Sequence, residues 1–411
     1  MSVKKPLNED LCQVYGEGDD DYFYEEEYVI SKSAKVTLFG LFICICLGCI
    51  WFFAIFLPDY FIPEARDLEG ITKVTDLKVA LIPLNEGRIK QLGLWDESSD
   101  AHDIGHDDEK LDNDSESDDE IEIGESDSEM EDDVELNQKR TVERLILIGD
   151  VHGHYTKLRK LLRKLNFNRR TDHVLMLGDF IAKGPDSIKV LEFAINNKID
   201  CIFGNHEWYV LQNYAQFHQL DAPRFANEKP DIGIESLFNE DPEYLLAKKL
   251  QPHHVDYINS CLVIKKLGKV PLHKRNEDGG LKYSNGVAVH GGLRWDLPFE
   301  EQDSEKCLEM RSYIGPDFNE STDDPFEENA VSWSKIWNKK QKEFSNKDTH
   351  VVYYGHDARR GLKLKKYAKG LDTGCYKGGH LTAMVLWNEN VPTSKGKTNI
   401  LHKEKIVSVS C

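Results

Sequence analysis

The sequence is short of basic charge. Its 52 Lys and Arg face 72 Asp and Glu, which argues against general nucleic-acid binding. It also lacks a paired CxxC array, and no CxxC is followed by a histidine pair. The nine cysteines therefore describe neither a zinc finger nor a disulfide scaffold. Cys201, Cys261, Cys307, Cys375 and Cys411 are scattered, and an isolated bridge is neither implied nor excluded. No internal repeat is present. Apolar residues are scarce over positions 96–135, where 21 carboxylates stand against one lysine. That surplus equals the net charge of the whole chain, so the rest is electrically balanced. A segment of this composition cannot bury a core and is expected to be disordered.

Only one stretch is long and free of charge. Residues 36–57 form a 22-residue apolar run, about 33 Å as a helix, enough to cross a bilayer. It is too long and starts too late for a cleaved leader, so a signal-anchor is expected. Lys32 and Lys35 precede it, whereas Asp59, Glu64, Arg66, Asp67 and Glu69 follow. The basic bias places the N-terminus in the cytosol and the rest in a lumen, a single-pass type II topology. Sequons at Asn113 and Asn319 agree with a lumenal, glycosylated C-terminal part. For 411 residues two or three structural units are expected: a disordered cytosolic tail at 1–35, the anchor at 36–57, a lumenal stalk at 58–95, an acidic linker at 96–138 and a catalytic domain at 139–411.

In that last region strand and helix periods alternate. Val142 to Ile148, Val174 to Leu177 and Ile199 to Phe203 are short apolar runs of the buried-strand type. Between them, Leu158, Leu161, Leu162 and Leu165 repeat at helical spacing, and so do Ile188, Leu191 and Ile195. The pattern is βαβαβ, with further strands around Val287, Val351 and Leu381. Each of the first three strands ends in Gly-Asp or Gly-Asn. In open α/β sheets ligands bind at those strand ends.

Five short motifs follow in order: Gly149-Asp150-Val151-His152-Gly153, Gly178-Asp179 with Lys183-Gly184, Gly204-Asn205-His206-Glu207, His290-Gly291-Gly292 and Gly355-His356. Their Asp, Asn and His side chains suit Zn, Mn or Fe, and a bridging carboxylate can hold two cations together. This ordered set resembles the calcineurin-like metallophosphoesterases of the phosphoprotein-phosphatase superfamily, over about Val142 to Leu386. The segment 178–187 and the run 371–382 resemble the ApaH-like branch, and a membrane-anchored member of that branch resembles the fungal vacuolar, zinc-dependent endopolyphosphatases.

The resemblance implies a four-layer α/β/β/α sandwich holding two divalent cations, zinc favoured and Co, Mn or Fe possible. Asp150 and His152 would bind the first cation, Asp179 would bridge, and Asn205, His290 and His356 would bind the second. His206 would be the general acid, and Lys183 stands where protein phosphatases grip phosphate with an arginine. Arg294, Arg311, Arg359 and Arg360 are candidates for a second phosphate-binding arginine. The implied reaction is hydrolysis of phosphoanhydride bonds by a metal-activated hydroxide, with inorganic polyphosphate as substrate in the lumen of a vacuole. The alternative is a serine/threonine phosphatase or dinucleoside polyphosphate hydrolase with the same site.

One departure bears on substrate. Protein phosphatases of the family carry an Asp, which orients the acid, where this chain has Ala182. Loss of that carboxylate is tolerated better when the leaving group is a weakly basic phosphate than when it is an alkoxide, which favours anhydrides. Lys157, Arg159, Lys160, Arg163, Lys164, Arg169 and Arg170, with Lys363, Lys365, Lys366 and Lys369, are either a solvated surface or a track for a polyanion. His253 and His254 are expected to be structural, and Cys375 to serve packing.

Overall fold

The computed structural model describes residues 31–56, 62–94, 139–226, 228, 241–272, 283–344, 348–392 and 398–411. The acidic stretch 96–135, with its expected disorder, and Asn113 lie outside the described residues, as does the tail up to residue 30. Two compact units are present, Met1–Ile62 and Pro63–Cys411.

The first unit contains a helix over Lys32–Ala54 that is long and apolar enough to cross a membrane. Ser31 caps it by accepting from the Ala34 N–H at 3.2 Å. None of its residues is buried within the unit. A helix apolar on every face belongs in lipid or in a core.

The second unit is built on two sheets. In one, Arg144–Ile148, Asp172–Met176 and Asp200–Cys201 run parallel, and His380–Pro392 lies antiparallel beside the first of them. Every residue of Arg144–Ile148 is buried, as expected of a parallel strand covered on both faces. The helices Tyr155–Lys164 and Ser187–Asn196 make the crossovers, and the first buries Leu158, Leu161 and Leu162. Arg144 forks onto Asp172 at 2.8 and 2.6 Å with both side chains buried, tying the two strands at their starts. The other sheet has the order Val74–Asp76, Ile264–Pro271, Tyr283–Val289, His350–Tyr354, Ala368–Gly370, Lys363–Leu364, with Tyr283–Val289 parallel to His350–Tyr354. Together with their flanking helices the sheets form the expected α/β/β/α metallophosphoesterase fold.

Two expectations need correction. Residues 63–94 are not a free stalk but part of the globular unit. Val74–Asp76 pairs with Ile264–Lys266, Val79–Leu81 with Arg140–Val142, and Pro83–Leu84 with Asn388–Glu389. Ile71, Leu77, Leu84, Ile89 and Leu94 are buried in the common core. The physical reason is area: these side chains gain most by leaving water. Second, Cys375 is not a packing thiol. It is bonded to Cys411, and Cys201 is bonded to Cys261. Beyond the strands read from sequence, Thr398–Ser410 is a strand paired along its whole length with His380–Pro392. Its intermediate burial explains why its sequence shows no apolar run.

Candidate metal centre

The six expected ligands come from five loops that follow strands of both sheets. Asp150 and His152 follow Arg144–Ile148, Asp179 follows Asp172–Met176, and Asn205 opens the helix Asn205–His218 after Asp200–Cys201. His290 follows Tyr283–Val289 and His356 follows His350–Tyr354. His152, Asp179 and His356 all adopt left-handed backbone conformations, with φ of 45°, 49° and 66°. Such strain costs on the order of 1–3 kcal/mol per residue and persists where the surroundings enforce it. The loops press on one another: a Cβ at Gly204 would meet Asp179, and one at Gly355 would meet Asp150.

Each histidine has one nitrogen committed to the protein and the other turned inward. The Nδ1–H of His290 donates to the Leu177 carbonyl at 2.7 Å, leaving Nε2 at 3.1 Å from Asn205 Oδ1 and 3.2 Å from Asp179 Oδ1. The Nε2–H of His356 donates to the Glu309 carbonyl at 2.9 Å, leaving Nδ1 at 3.1 Å from the same Asn205 oxygen. His152 Nδ1 lies 3.4 Å from the Ile181 carbonyl, while Nε2 faces Asp179 Oδ2 at 3.7 Å and Asp150 Oδ2 at 3.9 Å. A carbonyl on the far nitrogen is how proteins fix the tautomer of a metal-binding imidazole. Asp179 belongs to two clusters of potential ligand atoms, one with His152 and His206 and one with His290 and His356, the position a bridging carboxylate requires.

The electrostatics also call for cations. Burial, then the charges of Asp372 and Asp179, hold Asp150 well above the ordinary carboxylate range. Three buried carboxylates at one pocket are stable together only with compensating positive charge. Burial pushes His152 down to about 3, and His356 is held well below its usual value by burial, then by His290 and Arg311. Both are therefore neutral ligands with free lone pairs. Asp179 behaves oppositely. Burial would raise it, but the neighbouring His290 and His206 outweigh that and keep it ionised. The donor set of carboxylate, amide oxygen and imidazole fits borderline divalent metals.

Around the ligands, the other expected residues separate. Lys183 reaches the site, with Nζ 3.2 Å from His152 Nε2 and 4.5 Å from the centre of the Tyr376 ring. Lys377 approaches that ring too, at 4.9 Å. Of the four arginines, Arg311 is the one whose charge His356 feels. Arg360 is not available for substrate. Its guanidinium is held by Asp357 at 2.6 Å, the Arg311 carbonyl at 3.1 Å and Ser312 at 2.9 Å. Arg294 is paired with its neighbour Asp296, and Arg359 lies over the Phe326 ring at 3.4 Å. Part of the basic track is structural as well: Lys369 is buried against Glu404 at 2.8 Å, and Lys365 donates to Ser334 at 2.8 Å.

Sequence reasoning missed three carboxylates. Glu207 is fully buried and accepts the N–H groups of Asp179, Phe180, Ile181 and Gly204 at 2.8–3.2 Å, so it holds the bridging loop against the Asn205 loop. Its place in the first turn of an anion-attracting helix N-terminus was a usable signal. Asp372 is buried, hydrogen-bonds Asp150 and accepts the Gly374 N–H at 3.0 Å. The third, Glu243, lies 2.5 Å from His206 Nδ1. The expected acid, His206, therefore does have a carboxylate partner, and the substrate argument from Ala182 falls.

A third cluster of potential ligands, Glu192, His253 and His254, is set aside on tautomer grounds. His254 Nδ1 accepts the Gln251 N–H at 3.1 Å, so its proton sits on Nε2 and is given to Glu192 at 2.8 Å. His254 is thus spent on its neighbours, and the half-exposed His253 pairs with the same Glu192.

Comparison with known proteins agrees with this geometry. The family described as Calcineurin-like phosphoesterase matches residues 143–367. A zinc-dependent endopolyphosphatase of Saccharomyces cerevisiae is 26% identical over 58% of this chain and 74% of its own. Symmetrical bis(5'-nucleosyl)-tetraphosphatases are similar too: that of Wigglesworthia glossinidia brevipalpis is 28% identical over 58% of this chain and 94% of its own, and that of Photorhabdus laumondii 44% over 59% and 93%. The family match spans more than half of the chain and encloses all six candidate ligands, so the chain is a metal-dependent phosphoesterase and belongs to the calcineurin-like phosphoesterase family.

Proposed function

We propose that this chain cleaves inorganic polyphosphate internally, using two divalent cations, with zinc favoured. The observation that carries the reading is the convergence of Asp150, His152, Asp179, Asn205, His290 and His356, with Asp179 shared between two ligand clusters. The relatives act on phosphoanhydrides, by their names. Bound cations would activate water and neutralise phosphoryl charge. The chain's own groups do the rest. Asp150 and His152 would hold one cation and Asn205, His290 and His356 the other. Lys183 and Arg311 neutralise the oxygens of the transferring group. His206, with its ring at the edge of the ligand cluster, gives a proton to the leaving oxygen.

The proposed place is the lumen of a vacuole, with Lys32–Ala54 as a type II anchor. Two disulfides, Cys201–Cys261 and Cys375–Cys411, support an oxidising compartment, and Asn319 is exposed and open to glycosylation. A second reading, hydrolysis of dinucleoside tetraphosphates, is favoured by the 44% identity to one such enzyme. The test is gel analysis of long polyphosphate incubated with the full chain and Zn, Co, Mn or Mg, beside diadenosine tetraphosphate. Endo-cleavage yields shortened chains before free phosphate accumulates. Turnover of the dinucleotide with intact polyphosphate would overturn the first reading in favour of the second.

A further inference from the structure

His206 sits at the start of the helix Asn205–His218, with its ring edge-on to His152 at 5.1 Å and to Tyr209 at 5.8 Å. Its Nε2 faces the ligand cluster, 3.8 Å from Asp179 Oδ2. Its Nδ1 faces away, 2.5 Å from Glu243 Oε1, and the two side chains are only 13% and 12% exposed. Glu243 lies in the first turn of Pro242–Ala247, a helix packed against Asn205–His218. The loop residue that could have carried an orienting carboxylate is Ala182, whose side chain is a methyl group. Glu207 is consumed by four backbone N–H groups, and Asp179 is turned toward the ligand cluster.

We propose that Glu243 is the positioning residue for His206. Because an ionised carboxylate only accepts, Nδ1 must donate, which fixes the ring plane and directs the reactive nitrogen, Nε2, at the substrate. In the step itself, the Nε2–H bond breaks as the bond from phosphorus to the leaving oxygen breaks. The bonding pair stays on that oxygen, which takes the proton. The attacking water supplies the new oxygen on phosphorus and releases its proton to solvent, from which His206 is reprotonated. Burial would raise Glu243, but its bond to His206 outweighs this and keeps the carboxylate ionised. The orienting carboxylate thus comes from a separate helix, 37 residues from the histidine it serves. The consequence for substrate is that the site can protonate strongly basic leaving groups. This rests on the site being a phosphohydrolase, not on polyphosphate being its substrate.

The experiment uses the full-length, zinc-loaded protein in detergent. Glu243→Gln, Glu243→Ala, His206→Ala and the double variant His206→Ala/Glu243→Ala are assayed on phenyl phosphate and nitrophenyl phosphate. General acid catalysis is worth about 100-fold or more. Glu243→Ala should therefore lower kcat about 100-fold on phenyl phosphate, whose leaving group is the stronger base. On nitrophenyl phosphate the fall should be under about tenfold. KM and zinc content should be unchanged. Glu243→Gln should fall between wild type and Ala, since its amide oxygen still accepts from Nδ1. The double variant should be no slower than His206→Ala, because the two groups act as a unit. Equal losses on both esters, or a double variant slowed by both factors, would overturn the assignment. If Glu243→Ala does not fold, the isosteric Gln variant carries the ester comparison. Failure of the polyphosphate reading shows separately, as a wild type inert to long polyphosphate.

Discussion

Two clusters of histidine and carboxylate lie in the same globular unit and differ in one respect. Around Asp179, each of His152, His290 and His356 gives a nitrogen to a backbone carbonyl and turns the other inward. Around Glu192, His254 receives a backbone N–H and hands its proton to the carboxylate. The first arrangement gathers ring nitrogens around the shared carboxylate, one of them within reach of Lys183, and the second closes on itself. Residue type and proximity therefore do not make a metal site. The group on the far nitrogen decides which cluster can take a cation.

The sharpest way to break this comparison is to remove the shared ligand. Asp179→Asn or Asn205→Ala should lower bound metal and reduce hydrolysis by at least about 100-fold, since loss of groups merely supporting a metal ligand already costs 10–100-fold. Metal analysis beside a rate assay checks it, and unchanged metal would refute the assignment. His254→Ala should do the reverse. Metal content and rate should stay, while stability falls by about 1 kcal/mol as the buried imidazole's bonds to the exposed Gln251 and the half-exposed Glu192 are lost, read by thermal unfolding.

A third contact extends the closed type. Burial would raise Asp200, but His173 and Lys265 outweigh it and hold it down to about 2. A depressed carboxyl stabilises the fold above its unfolded value near pH 4 and loses that contribution as pH falls toward 2. About 2 kcal/mol should disappear over that window, and Asp200→Asn should remove the pH dependence without changing bound metal. Stability curves of the two proteins between pH 5 and 2 test this, and parallel curves would refute it.

The smallest effect concerns the acidic stretch 96–135. Its 21 carboxylates could compete weakly with a polyanion for Lys183, Lys377 and Arg311. Deleting it should lower the apparent KM for polyphosphate a few-fold at low salt, with the difference vanishing as the Debye length shrinks below about 10 Å. Identical constants across a salt series would make the segment a spacer.

Much of the site was legible because its ligands sit immediately after apolar runs. Asp150, Asp179 and Asn205 each come directly after a glycine, two to four residues past the end of a strand, so local chemistry marks both the strand and the candidate ligand. Arg360 shows the limit. A lone arginine near a motif looks available, and only the placement of Asp357, Ser312 and the Arg311 carbonyl shows it to be used up. The misread stalk has a similar origin. Val74–Asp76, Val79–Leu81 and Pro83–Leu84 are two or three residues long, too short to show a period, and their partners lie far along the chain.

What the sequence by itself marked was therefore the apolar run, the acidic stretch, the alternating strands and helices, and the glycine-flanked Asp, Asn and His residues that the family resemblance makes candidate ligands. All of these are written in runs of neighbouring residues, where periodicity, charge and glycine spacing act locally. What only the tertiary structure decided was which distant groups stand beside the site: Glu243 behind His206, Asp372 beside Asp150, the two disulfides, and the use of Arg360 and Arg294 in ion pairs. Those depend on how helices and loops dock, and docking is set by packing and hydrogen bonding between segments that no local pattern connects.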